Sequence, residues 1–265
     1  MLPAISDWIN LEENDFLKLI QQTAAKTGQV ADVFRSMVAY NVPNFVLKNI
    51  WVERWQEELK APALLAFCVA EDEWQGKIDN IKSKVIRIGE KYILTFAKSY
   101  VIEADALIIL VRYEDDFALA RVKVNFDDPG QDWQSRGEAD IQFKDSDGNR
   151  YDHYRVEGEL ALAEQFFHKI TRKEYARLGL QIPRREYTSL AVVASGVMQH
   201  HQIYDDRLDA QVDQIMAERS SGRIKESMQA ATTIFEALMK NAGDKGIELH
   251  PFWLRAEKLF SKLKK

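Results

Sequence analysis

The stretch ALLAFCVAEDEWQGKIDNIKSKVIRIGEKYILTFAKSYVIEADALIILVR, residues 63–112, decides the fold. Within it Leu64–Ala70, Lys84–Ile88, Tyr92–Phe96 and Ala106–Arg112 are short runs rich in β-branched and aromatic residues. The turn Ile88-Gly89-Glu90-Lys91 separates two of them. Short strands at close spacing, with no helical period between them, predict an antiparallel sheet or small barrel. The pattern continues to about Val156, with further strands expected at Ala118–Phe126 and Ile141–Phe143. These are set off by the turn residues Asp127-Asp128-Pro129-Gly130 and Asp145-Ser146-Asp147-Gly148-Asn149. About Asp127–Ala139 reads as a surface loop.

On both sides of this stretch the apolar period changes to that of a helix. Upstream, Phe16, Leu17, Leu19 and Ile20, then Val30, Val33, Phe34, Met37 and Val38, recur at helical spacing, and Pro43 interrupts the pattern before a helix from Phe45 to about Leu59. Downstream, helices are expected at Glu159–Ile170, about Glu186–Ala217, Arg223–Asn241 and Pro251–Leu263, the last closed by lysines that suit the negative end of its dipole. The expected class is α+β. A helical region spans residues 1–62, an antiparallel β domain 63–156, and a C-terminal antiparallel helical bundle 157–265.

At about 150 residues per domain, 265 residues allow one or two domains, and 46% hydrophobic residues suffice for a substantial core. Thirty-six Lys and Arg against 41 Asp and Glu leave a net charge of -5 and a pI near 5.7. That balance lacks the basic excess of a nucleic-acid-binding protein. The one cysteine, Cys68, cannot form an intramolecular disulfide, and no Cys/His spacing is that of a zinc site. A reducing, cytoplasmic setting fits. Glu12 and Glu13 precede any apolar stretch long enough for a signal peptide, so no export is expected. The longest apolar runs, such as Ala104–Val111, fall far below the roughly 20 residues that span a bilayer.

Two segments carry a family resemblance. Ala66-Phe67-Cys68-Val69-Ala70-Glu71 through Ile81-Lys82-Ser83-Lys84 resembles, without a gap, the A-[FY]-C-V-T-E-P-x-A-G-S-D stretch of the acyl-CoA dehydrogenases, which ends at I-K-T-K in some members. Glu90-Lys91-Tyr92-Ile93-Leu94, then Lys98-Ser99-Tyr100-Val101-Ile102, Ala104-Asp105 and Ile109-Leu110-Val111, is similar to that family's G-x-x-Y-x-[IL]-N-G-x-K-x-[WF]-I-T-N-[AG] and the apolar strand after it. A third segment, Glu218-Arg219-Ser220-Ser221-Gly222 with Gln229, is similar to E-R-x-x-F-G with a later Gln. It lacks the aromatic residue and is one residue shorter. The order of helices, β domain and helices agrees with the family, while residues 1–50 are too short for its full N-terminal domain.

The resemblance implies FAD as cofactor, an acyl thioester as ligand, and a flavin site at Phe67, Val69, Ala70, Tyr100 and Ile102, with Arg219 reaching the cofactor pyrophosphate of a neighbouring subunit. Flavin chemistry needs the ring fixed against the substrate and donors at its polar edge. Position by position, the family's threonine is Ala70, its proline Asp72, its alanine Trp74 and its serine Gly76, while its tryptophan is Tyr100 and its second threonine Ile102. Three hydroxyl donors are gone, each worth roughly 0.5–1.5 kcal/mol, which together weakens binding by about two orders of magnitude or more. Tyr100 can still pack on a ring, and the backbone amides of residues 67–70 survive any side-chain change. Alternatively Phe67, Val69, Tyr100 and Ile102 are core of the β domain, and Arg219 is a surface arginine favourable to its helix dipole.

The family's base is a glutamate, often in Y-E-G-T near the C-terminus, which removes the proton alpha to the thioester carbonyl. No such segment follows Arg219, and Glu226, Glu236 and Glu248 fit solvated positions equally well. Asp145-x-Asp147-x-Asn149 is not an EF-hand, because Gly148 stands at position four and Val156 at twelve. It reads as a hairpin turn. His200 and His201 are adjacent on an expected helix and point about 100 degrees apart, which rules out a metal pair on one face. The apolar face of the last helix, with Phe252, Leu254, Leu259 and Phe260, is expected to pack on the bundle or on another subunit.

Two functions follow. The first is a shortened, catalytically degenerate acyl-CoA dehydrogenase-like protein acting as a binding, scaffolding or partner subunit, as a homo-oligomer or with a dehydrogenase-like chain. The second is a working FAD-dependent oxidoreductase whose cofactor site is shared between subunits.

Overall fold

The structure, a computed structural model, describes residues 11–49, 65–72, 77–102, 104–124, 135–136, 143–144, 150–151 and 153–260. The chain divides into two units: described residues within Met1–Asn41, Lys144–Asn149 and Gly179–Lys265 form a mainly helical unit, and those within Val42–Phe143 and Arg150–Leu178 a unit built on a sheet.

The sheet consists of β1 (Leu65–Cys68), β2 (Lys84–Ile88), β3 (Lys91–Ile102), β4 (Ala106–Tyr113), β5 (Asp116–Lys123), β6 (Ser135–Arg136), β9 (His153–Leu162) and β10 (Phe167–Ile170). A separate pair is β7 (Phe143–Lys144) with β8 (Arg150–Tyr151). Strand order is β10-β5-β4-β2-β3-β9-β6, with β1 also on β4. Most neighbours are antiparallel, as the hairpin spacing predicts. Two contacts are parallel: β1 beside β4 from Leu65↔Ala106 to Cys68↔Ile109, and a single bridge Lys84↔Arg112 between β2 and β4. The apolar run at 104–111 is explained by β4, where Leu107 to Val111 are all buried, as in a strand covered on both faces. On β3 the period is two: Tyr92, Leu94 and Phe96 are buried, while Ile93 and Thr95 turn outward. The β2–β3 turn uses Gly89 at φ 62, where a Cβ would be strained.

The expected helix at Glu159–Ile170 is absent. Residues up to Leu162 belong to β9, paired along β3 from Tyr92↔Leu162 to Phe96↔Gly158, and Phe167–Ile170 are β10 on β5. Glu, Leu, Ala and Gln favour a helix locally, but cross-strand packing, including the stack of Phe167 on Tyr92 at 4.3 Å, overrides that preference. The expected turn at Asp145–Asn149 and most of the expected loop at 127–139 lie outside the described residues, as do Ile141 and the helix beyond Asn49.

The helical unit holds α1 (Glu13–Thr27), α2 (Ala31–Ala39), α5 (Ile182–His200), α6 (Asp209–Ser220), α7 (Ser227–Lys245) and α8 (Pro251–Phe260); the other unit holds α3 (Phe45–Asn49) and α4 (Arg172–Gly179). Pro43 sits in a π-helical turn, Tyr40–Asn44, between α2 and α3. α1 lies along α5, and α5 and α6 each pack on α7. The α1–α5 approach depends on Gly196, where a Cβ would run into the Gln21 carbonyl and meet Ala24 Cβ at 2.9 Å.

The single long helix expected over Glu186–Ala217 is two. It breaks at Gln202, φ 56, where Asp205 accepts from the Arg207 amide at 3.0 Å and Tyr204 donates to Asp209 at 2.7 Å. Then α6 runs back along α5, because Arg219 in its last turn meets Arg185, Thr188 and Ser189 near the start of α5. The polar run His200-His201-Gln202 and Asp205-Asp206 carries no apolar face that would hold a continuous helix in place.

Candidate functional site

Alternation along β3 sends Lys98 inward with Tyr92, Leu94 and Phe96, and the lysine is completely buried. Its Nζ donates to Glu71 Oε1 at 2.6 Å and to the Val69 carbonyl at 3.2 Å. Glu71 also accepts from the Lys82 amide at 2.6 Å and the Ser83 amide at 3.0 Å. The Ser99 amide donates to the Ala70 carbonyl at 2.9 Å. The two segments that carry the family resemblance are thus adjacent and joined by a buried ion pair. Burial pushes the Glu71 carboxyl up, but the Lys98 ammonium and the Ser83 and Lys82 hydrogen bonds outweigh it and hold the group below its ordinary value. Burial pulls the Lys98 ammonium down against the opposing pull of Glu71. Cys68, beside this pair, is pushed up to about 12 by burial and is an inert thiol at neutral pH.

At the outer end of the same strands, β3 slips register against β9 between Lys98 and Val101, an irregularity that re-aims side chains. Here Ser99 Oγ donates to Asp72 at 2.7 Å, and Arg155 pairs with Asp72 at 3.0 Å and with Glu157 at 3.5 Å. Of the expected flavin-facing residues, Phe67 ends up half-buried on β1, Val69 and Ala70 half-buried just beyond it, and Ile102 buried at the end of β3. Tyr100 lies on β3, and its side chain is outside the described residues.

Arg219 is not on the surface. Its side chain is fully buried in the helical unit. It donates to Glu13, to Asn41 Oδ1 at 2.9 Å, to Thr188 Oγ1 at 3.2 Å, to Ser189 Oγ and to the Arg185 carbonyl at 2.9 Å. Arg185 joins the second oxygen of Glu13 at 2.6 Å, and the π-helical turn supplies Asn41, which also donates to Ser189 Oγ at 2.9 Å. Burial raises the Glu13 carboxyl, but Arg219 and Arg185 hold it below its ordinary value. Arg219 itself is pushed down to about 10 by burial and stays charged at neutral pH. Fork geometry and permanent charge suit an arginine to this role of tying α1, α5 and α6 together.

Sequence reasoning missed Glu186. On α5 its carboxyl is raised to about 7 by burial alone, the condition of a group able to take up a proton near neutrality. The only trace in the sequence is a lone carboxylate next to Tyr187 on the apolar helix. Glu226, Glu236 and Glu248 are all exposed. His200 and His201 stand edge to face, centroids 5.0 Å apart, with His200 Nδ1 at 3.2 Å from the Ala25 carbonyl. Among the described residues no group of three or more His, Cys, Asp or Glu could hold a metal, and no helix is long and apolar enough to cross a membrane.

The elements are a mixed sheet with helices before and after it, and superposition on solved structures identifies the fold. More particularly, the chain has the acyl-CoA dehydrogenase fold. It superposes on butyryl-CoA dehydrogenase from Megasphaera elsdenii at a TM-score of 0.69 and 9% identity, over 91% of this chain and 76% of that one. A prolyl acyl carrier protein oxidase gives 0.69 at 13% identity, over 96% and 81%. A glutaryl-CoA dehydrogenase from Mycobacterium smegmatis in complex with FADH2 gives 0.62 at 15%, over 93% and 73%. No family model matches the sequence, and no curated protein matches it.

The residues at the matched positions do not fit a flavin held through side-chain hydroxyls and an arginine. The side chains of Ala70 and Ile102 carry no donor, and Arg219 is committed to its own chain.

Proposed function

We propose that this protein is a catalytically degenerate relative of the acyl-CoA dehydrogenases that acts as a binding or partner subunit. The observation that carries the reading is the burial of Arg219, whose two terminal guanidinium nitrogens serve Glu13, Asn41, Thr188, Ser189 and a backbone carbonyl instead of a phosphate. An acyl thioester remains the ligand class suggested by the named neighbours. The test is an oxidation assay with saturated acyl-CoA thioesters, added FAD and an artificial electron acceptor. The expected result is no turnover above the protein-free control, and turnover that depends on both protein and FAD would remove the reading.

The alternative, an active FAD-dependent oxidoreductase with a site shared between subunits, is favoured by one observation. Glu186 is a half-buried carboxyl whose proton affinity is set near neutrality. On that reading Glu186→Gln abolishes turnover in the same assay. Turnover that survives the substitution excludes Glu186 as the base.

A further inference from the structure

Strand β2 outruns its neighbour. It lies parallel to β4 through a single bridge, Lys84↔Arg112, and β4 ends one residue later at Tyr113, where Glu114 turns the chain with φ 53. Ile86, Arg87 and Ile88 therefore continue with β3 on one side and, among the described residues, no strand on the other. All three are exposed, Ile86 at 47% and Ile88 at 60%.

The direction of the main-chain groups follows from the hairpin. The turn Gly89-Glu90 is closed by Ile88↔Lys91, so Ile88, Ile86 and Lys84 exchange ladder bonds with β3, while Arg87, Val85 and Ser83 point theirs away. On that far side the Ser83 carbonyl accepts from the Arg112 amide at 2.9 Å. At Arg87 the same side is open among the described residues, and an outward N–H and C=O there are a template for one more strand. The charges along this edge share one sign. Arg87 lies over the Tyr92 ring at 5.9 Å and donates from Nε to the Gly89 carbonyl at 3.0 Å. Among the described residues neither Arg87 nor Lys84 nor Lys91 forms an ion pair.

Like charges keep two such edges apart, which disfavours a second copy as the guest and favours a negative one. We propose that the β2 edge binds an extended, acidic segment of a partner protein, added as a strand antiparallel to β2. An antiparallel guest exchanges both main-chain bonds of Arg87 through one residue. Its side chains are then specified: apolar opposite Ile88 and Ile86, acidic opposite Arg87 and Lys84. Along the guest this reads apolar, acidic, apolar, any residue, acidic. The inference does not rest on the reading of the flavin positions, since binding is measured without flavin.

Fluorescence anisotropy tests it, with the full chain titrated at low ionic strength into a labelled peptide containing valine, glutamate, valine, threonine and glutamate in that order. A scrambled peptide and one with lysines in place of the glutamates are measured beside it. Arg87→Pro deletes the outward N–H and leaves the β2–β3 ladder intact, Arg87→Glu reverses the charge, and the thermal midpoint of each variant reports whether it folds. The expected result is saturable binding of the acidic peptide in the micromolar range, weakened about tenfold or more by Arg87→Pro and by scrambling, with the preference shifted about tenfold toward the lysine peptide in Arg87→Glu. Absence of saturable binding overturns the proposal. So does binding that Arg87→Pro or scrambling leaves unchanged, which is charge attraction without an added strand, or a lysine peptide that wild type binds as tightly. If Arg87→Pro does not fold, the shift of preference in Arg87→Glu decides.

Discussion

Replacing Glu13 by glutamine keeps the shape of the side chain and removes the carboxylate that bridges Arg185 and Arg219. Arg219 is fully buried, and Arg185 and Glu13 are 11% and 17% exposed at the side chain. Breaking a buried pair from one side costs about 3–5 kcal/mol, because a charge is left without compensation. Glutamine still accepts one hydrogen bond, which places the expected loss at the lower end, about 3 kcal/mol. For a chain of this size that lowers the thermal midpoint by roughly 6–12 °C. Urea unfolding followed by circular dichroism at neutral pH reads it as a shift of the midpoint. The double variant Glu13→Gln/Arg219→Met should lose less than the sum of the two singles, since the second change removes the charge that the first stranded. A loss under about 1 kcal/mol for Glu13→Gln would refute the reasoning, because it would mean that the pair behaves as an exposed one and that Arg219 is free for another partner.

Three further outcomes follow from the same geometry. Glu13 and Glu71 are both held below their ordinary value of 4.5; a lowered native value stabilises above the unfolded value and loses that contribution as pH falls through the native one, so urea midpoints should fall progressively below about pH 5, more steeply in wild type than in Glu13→Gln, whereas the Glu186 carboxyl, raised to about 7, takes up its proton first in the native state and acts the other way between neutrality and about pH 5. Lys98→Met strands the Glu71 carboxylate and should destabilise by about 3–5 kcal/mol, whereas Lys98→Met with Glu71→Leu should recover much of that loss; equal losses in the single and double variants would contradict the pairing. Gly196→Ala gains helix propensity of about 1 kcal/mol but drives a methyl group into the α1 backbone, and overpacking of about 1–3 kcal/mol should leave a net loss of stability; a midpoint raised by the substitution would show that α1 and α5 are further apart.

Much of this architecture was legible in the residues. The strand runs at 65–68, 84–88 and 106–113 were readable because alternation and turn glycines mark them locally, and the helices at 13–27 and 227–245 because their apolar stripes are long. The second half of the β9 strand was not, since Glu159, Leu160, Ala161 and Leu162 are good helix formers, and only pairing with Tyr92 to Thr95 makes them a strand. The hairpin of α5 and α6 escaped for the opposite reason: an apolar period continues on both sides of a polar break. Glu71 and Lys98 could be recognised as members of two separate segments, yet nothing in 27 residues of separation announced their ion pair. Arg219 was read by its neighbours in sequence, whereas its environment is set by Glu13 and Asn41, far away in the chain.

The most direct test of the central claim, that this fold has set its flavin positions to internal use, is a titration of the purified chain with FAD, following FAD fluorescence and thermal stability together. The account predicts unchanged fluorescence and an unchanged midpoint into the high micromolar range. Saturable quenching at low micromolar FAD, with a stabilisation approaching about 2.7 kcal/mol at a hundredfold excess over the dissociation constant, would contradict it.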